Sequence, residues 1–221
     1  MIKSDTEHAG GHTVQGQELA AGGAMNLYLK PFDASFEEAI RTCVANREMY
    51  TDESFPPQKT SLIEAGVSPG TVPFSEIEWR RPHEIPELND DEGELAIFAD
   101  GVTPNDIRQG IISNCYFLSA LSVLAEFPER VYRLFKTDEA NAQGVWCVQL
   151  YKNGKHQEIV LDDYIPCKDG SPCFTRAQGN ELWVLIVEKA WAKVHGSYER
   201  TAWGFPNLAM RDLTGAPGYS L

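Results

Sequence analysis

The sequence predicts a single α+β domain, mostly helical, with a central buried helix and a small antiparallel sheet. Three observations support this fold class. Apolar residues recur with helical spacing in several segments, one of these segments is apolar on nearly every face, and two strand-like segments flank the turn dipeptide Asn153-Gly154. The chain has 221 residues, of which 43% are hydrophobic, and this is sufficient for one sizeable domain with a buried core.

The N-terminal part divides into a tail and the start of the domain. Residues 1–25 predict a flexible tail, because two Gly-Gly pairs punctuate a segment without periodicity, and the domain then occupies residues 26–221. The first helix begins near Asp33 or Ser35. Its apolar stripe consists of Phe36, Ala39, Ile40, Cys43 and Val44.

Two helices follow in the middle of the chain. The segment from Cys115 to Ala125 interleaves large apolar residues with small ones, which predicts a buried central helix. Pro128 is suited to the first turn of the next helix, which we expect to extend to Phe135.

A hairpin and a long helix complete the predicted domain. Residues 145–151 and 156–165 are the two strands of the hairpin. The last helix covers residues 181–195, with an apolar stripe on one face and Gly196 at its C-terminal cap.

Composition and charge exclude several classes of function. The 19 basic and 32 acidic residues give a formal net charge of −13, so nucleic acid and anionic lipid are unfavourable partners. No apolar run reaches the roughly 18 residues of a transmembrane helix, and the N-terminus lacks the apolar block of a signal peptide. Five scattered cysteines without a Cys-x-x-Cys pair indicate a reducing, cytoplasmic setting instead of a disulfide framework or a structural zinc site.

One short segment carries the candidate chemistry. A glycine-bearing turn places Cys115 in the first turn of the central helix, where unpaired N–H groups and the helix dipole favour a thiolate. Gln109 lies six residues upstream, from where its amide can donate to a developing oxyanion beside the sulfur. The spacing alone is equally compatible with a second interpretation, in which Cys115 is a small buried hydrophobe of the core.

The segment Gln109-Gly110, followed after four intervening residues by Cys115-Tyr116, resembles the nucleophile segment of papain-like peptidases and, among them, of the calpains. The resemblance extends over roughly residues 30–221. The other similar segments are Asp-Glu-Ser-Phe-Pro-Pro at 52–57, Ile-Glu-Trp-Arg-Arg-Pro at 77–82, the long stretch 181–199, and Asp-Leu-Thr-Gly at 212–215.

The resemblance implies the first lobe of a two-lobed protease core, with the active-site cleft between the lobes. Cys115 is then the nucleophile and Gln109 the oxyanion donor, whereas the catalytic histidine and asparagine belong to a second lobe. Tyr116 and Asn114 are expected to form a wall of the substrate cleft.

The resemblance also implies a calcium site in this lobe. Its ligands would be the backbone carbonyls of Ala99 and Gly101 and the carboxylates of Asp106 and Glu181, an oxygen-only set that suits calcium. From the residues alone, ordinary capping is the better interpretation of both carboxylates, with Asp106 in a turn and Glu181 in the first turn of the last helix.

Four positions depart from the usual calpain pattern. Typical calpains have Gly-Asp-Cys-Trp at the nucleophile, whereas this chain has Ser113, Asn114 and Tyr116 around Cys115. Pro104 replaces an arginine that ties the two lobes together in the family.

None of the five histidines is a convincing general base. His8 and His12 lie in the predicted tail, and His83 lies in a proline-rich loop. His156 follows the hairpin turn in an exposed position, and His195 ends the last helix, where a cation would complement the helix dipole.

The expected function is therefore the cysteine-bearing half of a calcium-dependent, calpain-type endopeptidase. Its partners would be protein substrates and the second protease lobe, and the chain by itself would be inactive, because the histidine and asparagine lobe is missing. The alternative is a non-catalytic calpain-like module that binds a partner or acts as a scaffold. A third, weaker interpretation is an unrelated thiol transferase, which would need a base within this chain.

Overall fold

The computed structural model describes residues 35–68, 72–89, 95–99, 101–137, 139–176 and 180–218. Six α-helices lie in these ranges: α1 (Phe36–Asn46), α2 (Lys59–Leu62), α3 (Cys115–Ala125), α4 (Pro128–Tyr132), α5 (Trp183–His195) and α6 (Pro206–Thr214). The strands are β1 (Glu78–Arg80), β2 (Arg108–Gln109), β3 (Val145–Lys152), β4 (Lys155–Asp162), β5 (Ile165–Lys168), β6 (Ser171–Pro172) and β7 (Thr175–Arg176). The predicted α+β class is confirmed.

The strands form three small antiparallel sheets. β3 and β4 are a hairpin of eight paired positions around Asn153-Gly154, and β5 pairs with both β1 and β6. β2 pairs with β7, which sets Gln109 opposite Thr175. This last pair positions the residues that precede Cys115.

Helices α3 and α5 form the centre of the core. The rings of Phe117 and Trp191 stack with their centroids 4.7 Å apart. Every residue of α5 from Trp183 to Val194 is buried, because the β3–β4 hairpin, the segment around β7 and the 3-10 helix Glu199–Thr201 pack around the helix, and Phe117 of α3 stacks on Trp191. Complete burial of a helix that carries Glu188, Lys189 and Lys193 requires internal partners for these three groups.

The two buried lysines of α5 anchor the hairpin and the N-terminal segment. Lys189 pairs with Asp162 and donates to the Tyr164 carbonyl at 2.7 Å. Lys193 donates to Asp52 Oδ2 at 2.9 Å and to the Val160 carbonyl at 2.7 Å. These contacts tie α5 to the end of β4 and to the loop that contains Asp52.

Several predicted boundaries shift for identifiable reasons. The first helix is confirmed, with the Ser35 hydroxyl accepting from the Glu38 N–H. Helix α4 ends at Tyr132, before the predicted Phe135, because Phe135 forms a bridge to Val148 at the edge of the hairpin.

The return strand and the last helix also differ from the prediction. The return strand breaks after Asp162, whose carboxylate accepts the Tyr164 N–H, and the chain then pairs with β1 instead of β3. Helix α5 begins at Trp183 and not at residue 181, since the N–H groups of Leu182 and Trp183 donate to the carbonyls of Ala96 and Ile97.

Near its C-terminal end, the domain contains one helix more than the sequence predicted. Helix α6 was not predicted as a helix, and it packs against α3 and β3. The predicted tail of residues 1–25 lies outside the described residues. Across the described part of the chain, no helix combines the length and apolar character needed to cross a bilayer.

Candidate active site

The loop that leads to Cys115, residues 110–114, is fixed against the strand segment before β7. The Gly110 N–H donates to the Phe174 carbonyl at 2.5 Å, and the Ile111 N–H donates to the Cys173 carbonyl at 2.9 Å. A Cβ atom at Gly110 would collide with both of these carbonyl oxygens. Only glycine lets the two segments approach this closely.

Cys115 is the first residue of α3 and is the exposed member of the five cysteines, all of which are free. Its position places the thiol beside the unpaired N–H groups at the start of an 11-residue helix. The other four thiols are buried, and burial raises the pKa of Cys147 and of Cys167 to about 12. Cys115 is therefore the thiol that solvent and a reactant can reach.

Gln109 lies at the end of β2 with its side chain exposed. Its Nε2 donates to the Ile112 carbonyl at 3.0 Å, within the same loop that delivers Cys115. A primary amide carries two hydrogens, so one can hold this loop contact while the other is directed to a substrate oxygen.

Asn114 does not line a cleft, which corrects its predicted role. The residue is fully buried, and its Nδ2 donates to Glu188 Oε1 at 2.7 Å. The side chain points into the core because α5 presents a carboxylate there, directly behind the nucleophile.

Glu188 was not identified from the sequence as a residue of the site. Its other oxygen, Oε2, accepts from the Thr175 N–H at 3.1 Å and from the Thr175 hydroxyl at 2.7 Å. Burial raises the pKa of Glu188 to about 7, against the hydrogen bonds from Thr175 and Asn114 that lower it. The available signal was a glutamate between the apolar positions Val187 and Ala190 of the predicted buried helix.

Tyr116 is half-buried beside Cys115. Its hydroxyl accepts from Trp191 Nε1 at 3.2 Å, and burial raises the pKa of the phenol. A Cβ atom at Gly204 would collide with the Tyr116 ring, and the neighbouring Trp203 N–H donates to the Ser113 carbonyl at 3.0 Å. The loop around Gly204 thus closes one side of the nucleophile segment.

His195 is not the cationic cap that its position suggested. Its Nδ1 lies 2.8 Å from the Trp191 carbonyl, and its Nε2 lies 3.4 Å from Lys152 Nζ. Burial, with the nearby Lys152 charge, lowers the pKa of His195 to about 4, so the ring is neutral at pH 7. The prediction failed because burial and the neighbouring Lys152 outweigh the helix dipole. His83 and His156 are exposed, on a 3-10 helix and on β4, respectively.

Of the four residues expected to bind calcium, Ala99 and Glu181 are joined by a hydrogen bond. The Ala99 N–H donates to Glu181 Oε1 at 2.9 Å, which brings these two together. Asp106 accepts from the N–H and the hydroxyl of Thr103 in a capping box, as its interpretation as a cap predicted. Gly101 adopts a φ of 91°, in the region that favours glycine.

Glu181 differs from the capping interpretation. It precedes helix α5 and holds the segment at Ala99, and it lies outside the first turn. Within the part of the chain that the structure describes, no group of three or more histidine, cysteine, aspartate or glutamate side chains forms a ready metal cluster. A cation here would need backbone carbonyls as well as these carboxylates.

Comparison with known families agrees with this geometry. The profile of the calpain family cysteine proteases matches residues 50–221. The chain belongs to the calpain family of cysteine proteases. The match includes the turn with Gln109, the helix that begins at Cys115, and α5.

Individual calpains support the same assignment. The chain is 38% identical to the calpain-type cysteine protease DEK1 of Arabidopsis thaliana over 188 residues, which are 83% of this chain and 9% of that protein. It is 33% identical to the calpain-1 catalytic subunit of Rattus norvegicus over 203 residues, or 90% of this chain and 28% of the relative. Calpain-5 of Caenorhabditis elegans is 32% identical over 197 residues, 85% of this chain and 28% of its own length. The chain thus spans less than a third of each of these relatives.

Proposed function

We propose that this chain is the nucleophile-bearing lobe of a calcium-dependent cysteine endopeptidase. The observation that carries the proposal is the position of Cys115, an exposed thiol at the start of α3, on the same loop as the exposed amide of Gln109. A thiol and an amide donor on one continuous turn suit attack on a carbonyl followed by stabilisation of its oxygen.

The proposed chemistry is acyl transfer to the thiol. Cys115 Sγ attacks the carbonyl carbon of a peptide bond, and the oxygen takes the negative charge while the Gln109 amide and a backbone N–H donate to it. The carbon–nitrogen bond then breaks, the amine leaves with the proton that the thiol gave up, and a thioester joins the acyl group to Cys115. Water hydrolyses the thioester, which releases the acid product and regenerates the thiol. Because the bond that is cleaved is a peptide bond, the substrates are proteins or peptides.

The proton acceptor is proposed to come from a second lobe that carries a histidine and an asparagine. Among the described histidines, His83 and His156 are exposed on the 3-10 helix Pro82–Glu84 and on β4, and His195 has its Nδ1 at the Trp191 carbonyl. A neutral, half-buried ring held at a carbonyl is a poor base for a thiol on another helix. The five free cysteines also support a reducing, cytoplasmic setting.

The test uses the endogenous protein and the 221-residue chain together. Intact mass and peptide sequencing past Leu221 are expected to reveal a second lobe with the histidine. The endogenous protein should hydrolyse a denatured protein substrate, and Cys115→Ala should lower the rate by about a thousandfold or more. Cys43→Ala removes a buried thiol and serves as the matched control, with a rate close to that of the unmodified protein.

Two outcomes would contradict parts of the proposal. Turnover by the 221-residue chain that disappears in Cys115→Ala would show that no second lobe is needed. An endogenous protein without Cys115-dependent turnover would remove the peptidase proposal and leave the non-catalytic binding module as the better explanation.

Calcium is proposed to bind where Glu181 meets the segment of Ala99 and Gly101. A bound cation would join this segment to Asp106, which lies three residues before Gln109. Its contribution would be to fix the position of the loop, since calcium with oxygen ligands supplies no nucleophile here. The residues fit in their oxygen chemistry, and Asp106 retains acceptor capacity beyond its two bonds to Thr103.

A further inference from the structure

The carboxylate of Glu188 accepts three hydrogen bonds inside the core. It receives the Asn114 Nδ2 at 2.7 Å on one oxygen, and the N–H and hydroxyl of Thr175 at 3.1 and 2.7 Å on the other. The side chain is fully buried on α5. A buried carboxylate with this many donors is costly to disturb, because each donor would be left without an acceptor.

The two residues that Glu188 joins belong to the two halves of the proposed site. Asn114 immediately precedes the nucleophile, and Thr175 pairs with Gln109 across β2 and β7. One carboxylate therefore connects the residue behind Cys115 with the strand that holds the oxyanion donor.

We propose that Glu188 is a positioning residue, which fixes Cys115 relative to Gln109 by joining Asn114 to strand β7. This inference rests on the proposed peptidase function, because a fixed distance between thiol and amide matters only if both act on one carbonyl. Glu188 acts through Asn114 and Thr175 and has no contact with substrate in this scheme.

The identity of residue 114 supports this role. Asparagine offers an N–H donor to the carboxylate, whereas an aspartate at this position would set two carboxyl groups against each other. The backbone bonds of Gly110 and Ile111 hold the beginning of the loop, and the Trp203 N–H holds the Ser113 carbonyl. At its end, the Glu188 contact is the side-chain link from Asn114 to the core.

The proposal has a consequence for pH dependence. Burial raises the pKa of Glu188 to about 7, so the form that can accept all three donors becomes populated as the pH rises through neutrality. Protonation replaces one acceptor position with a donor and should loosen the loop. The titratable groups that face Glu188 are Cys173 and Tyr198, whose pKa values are themselves raised by burial, so both stay neutral at pH 7.

The experiment measures amide hydrogen exchange of Gly110 and Ile111 in the 221-residue chain, relative to amides of the β3–β4 hairpin. Glu188→Ala should raise the relative exchange rate at the two loop amides by about tenfold. Val187→Ala is the matched control, because it removes buried apolar atoms from the neighbouring position of α5 without touching the network. It should lower protection throughout and leave the ratio unchanged.

A second variant covers the case in which Glu188→Ala does not fold. Glu188→Gln keeps the size of the side chain and removes its titration. In the unmodified chain, the relative exchange of the loop amides should fall as the pH rises through about 7, and in Glu188→Gln this step should disappear.

The outcomes separate this inference from the proposed function. Equal exchange ratios in Glu188→Ala and Val187→Ala, or a pH step that persists in Glu188→Gln, would overturn the positioning role.

Alkylation of Cys115 by iodoacetamide is measured in parallel. If Cys115 reacts no faster than a cysteine in an unfolded peptide, this counts against the proposed function, and the exchange data still decide the role of Glu188 in holding the loop.

Discussion

Two ionisable side chains of helix α5 are held toward their neutral forms by burial. The pKa of Glu188 is raised to about 7, and the pKa of His195 is lowered to about 4. Their effects on stability have opposite signs. Glu188 lowers the stability of the fold as the pH rises from about 4.5, the pKa of this residue in the unfolded chain, to about 7. His195 lowers the stability as the pH falls from about 6.5, its pKa in the unfolded chain, to about 4.

His195→Asn should therefore weaken the loss of stability in acid. Between pH 6.5 and 4, the folded state binds fewer protons at this position than the unfolded state, so the contribution of neutral His195 is lost as the pH falls. The variant should reduce the loss over this interval by up to about 3 kcal/mol.

Urea denaturation at a series of pH values measures this effect. The relevant quantity is the difference in free energy of unfolding between the variant and the unmodified chain. In this difference, the contributions of Glu188 and of the other titratable groups cancel. Parallel stability curves for the two proteins from pH 7 to 4 would contradict the lowered pKa of His195.

At the scale of residues, the exposed side chains of the candidate site were easier to predict from the sequence than the buried ones. Cys115 and Gln109 were predicted from their spacing together with the resemblance to the calpains, and the structure exposes both on one loop. Asn114 was assigned to a cleft wall, because nothing in its neighbourhood in the sequence announces Glu188, 74 positions away. A contact of that kind depends on how α3 and α5 pack.

At the scale of elements, α5 is unusual in burying charged groups on several faces. Helical periodicity leaves Lys189 and Lys193 outside its apolar stripe. The structure buries both and gives them Asp162 and Asp52 as partners. The periodicity correctly predicted a helix, and it could not reveal that other elements surround it.

Lys193→Met should destabilise the fold strongly. The change leaves the Asp52 carboxylate, which is 1% exposed, without its cation in the core. The expected loss in free energy of unfolding is about 3–5 kcal/mol, measured by urea denaturation.

Two variants make this experiment specific. Lys193→Met combined with Asp52→Asn should recover part of the loss, since no unpaired charge is then buried. Lys136→Met removes a surface lysine that pairs with Glu37 and Glu158, and this control should cost about 1 kcal/mol or less. A Lys193→Met variant as stable as the control would show that the buried pair contributes little.

At the scale of the whole molecule, the proposed calcium site would join segments far apart in the chain. The segment of Ala99 and Gly101 lies against Glu181, and Asp106 begins the strand-and-turn sequence that leads to Cys115. Calcium should therefore raise the melting temperature of the 221-residue chain. At a calcium concentration one hundred times the dissociation constant, the free energy of unfolding should increase by about 2.7 kcal/mol.

Variants of the candidate ligands test this calcium effect by calorimetry and thermal unfolding. Glu181→Gln should abolish the calcium-induced stabilisation. Thr103→Ala removes a partner of Asp106 and keeps the carboxylate, so it should lower the stability and preserve the response to calcium. Magnesium should give a weaker response, since it requires a smaller and more regular site. A response unchanged in Glu181→Gln would place the cation elsewhere.

The sequence by itself determined the α+β class, the first helix, the central helix at Cys115 and the hairpin turn. These features depend on periodicity, caps and turn residues, which are local properties of the chain. Only the tertiary structure decided that Glu188 joins Asn114 to Thr175, that His195 is neutral, and that α5 is buried with its lysines. Each of these depends on desolvation and on partners distant in sequence, and no local pattern encodes them.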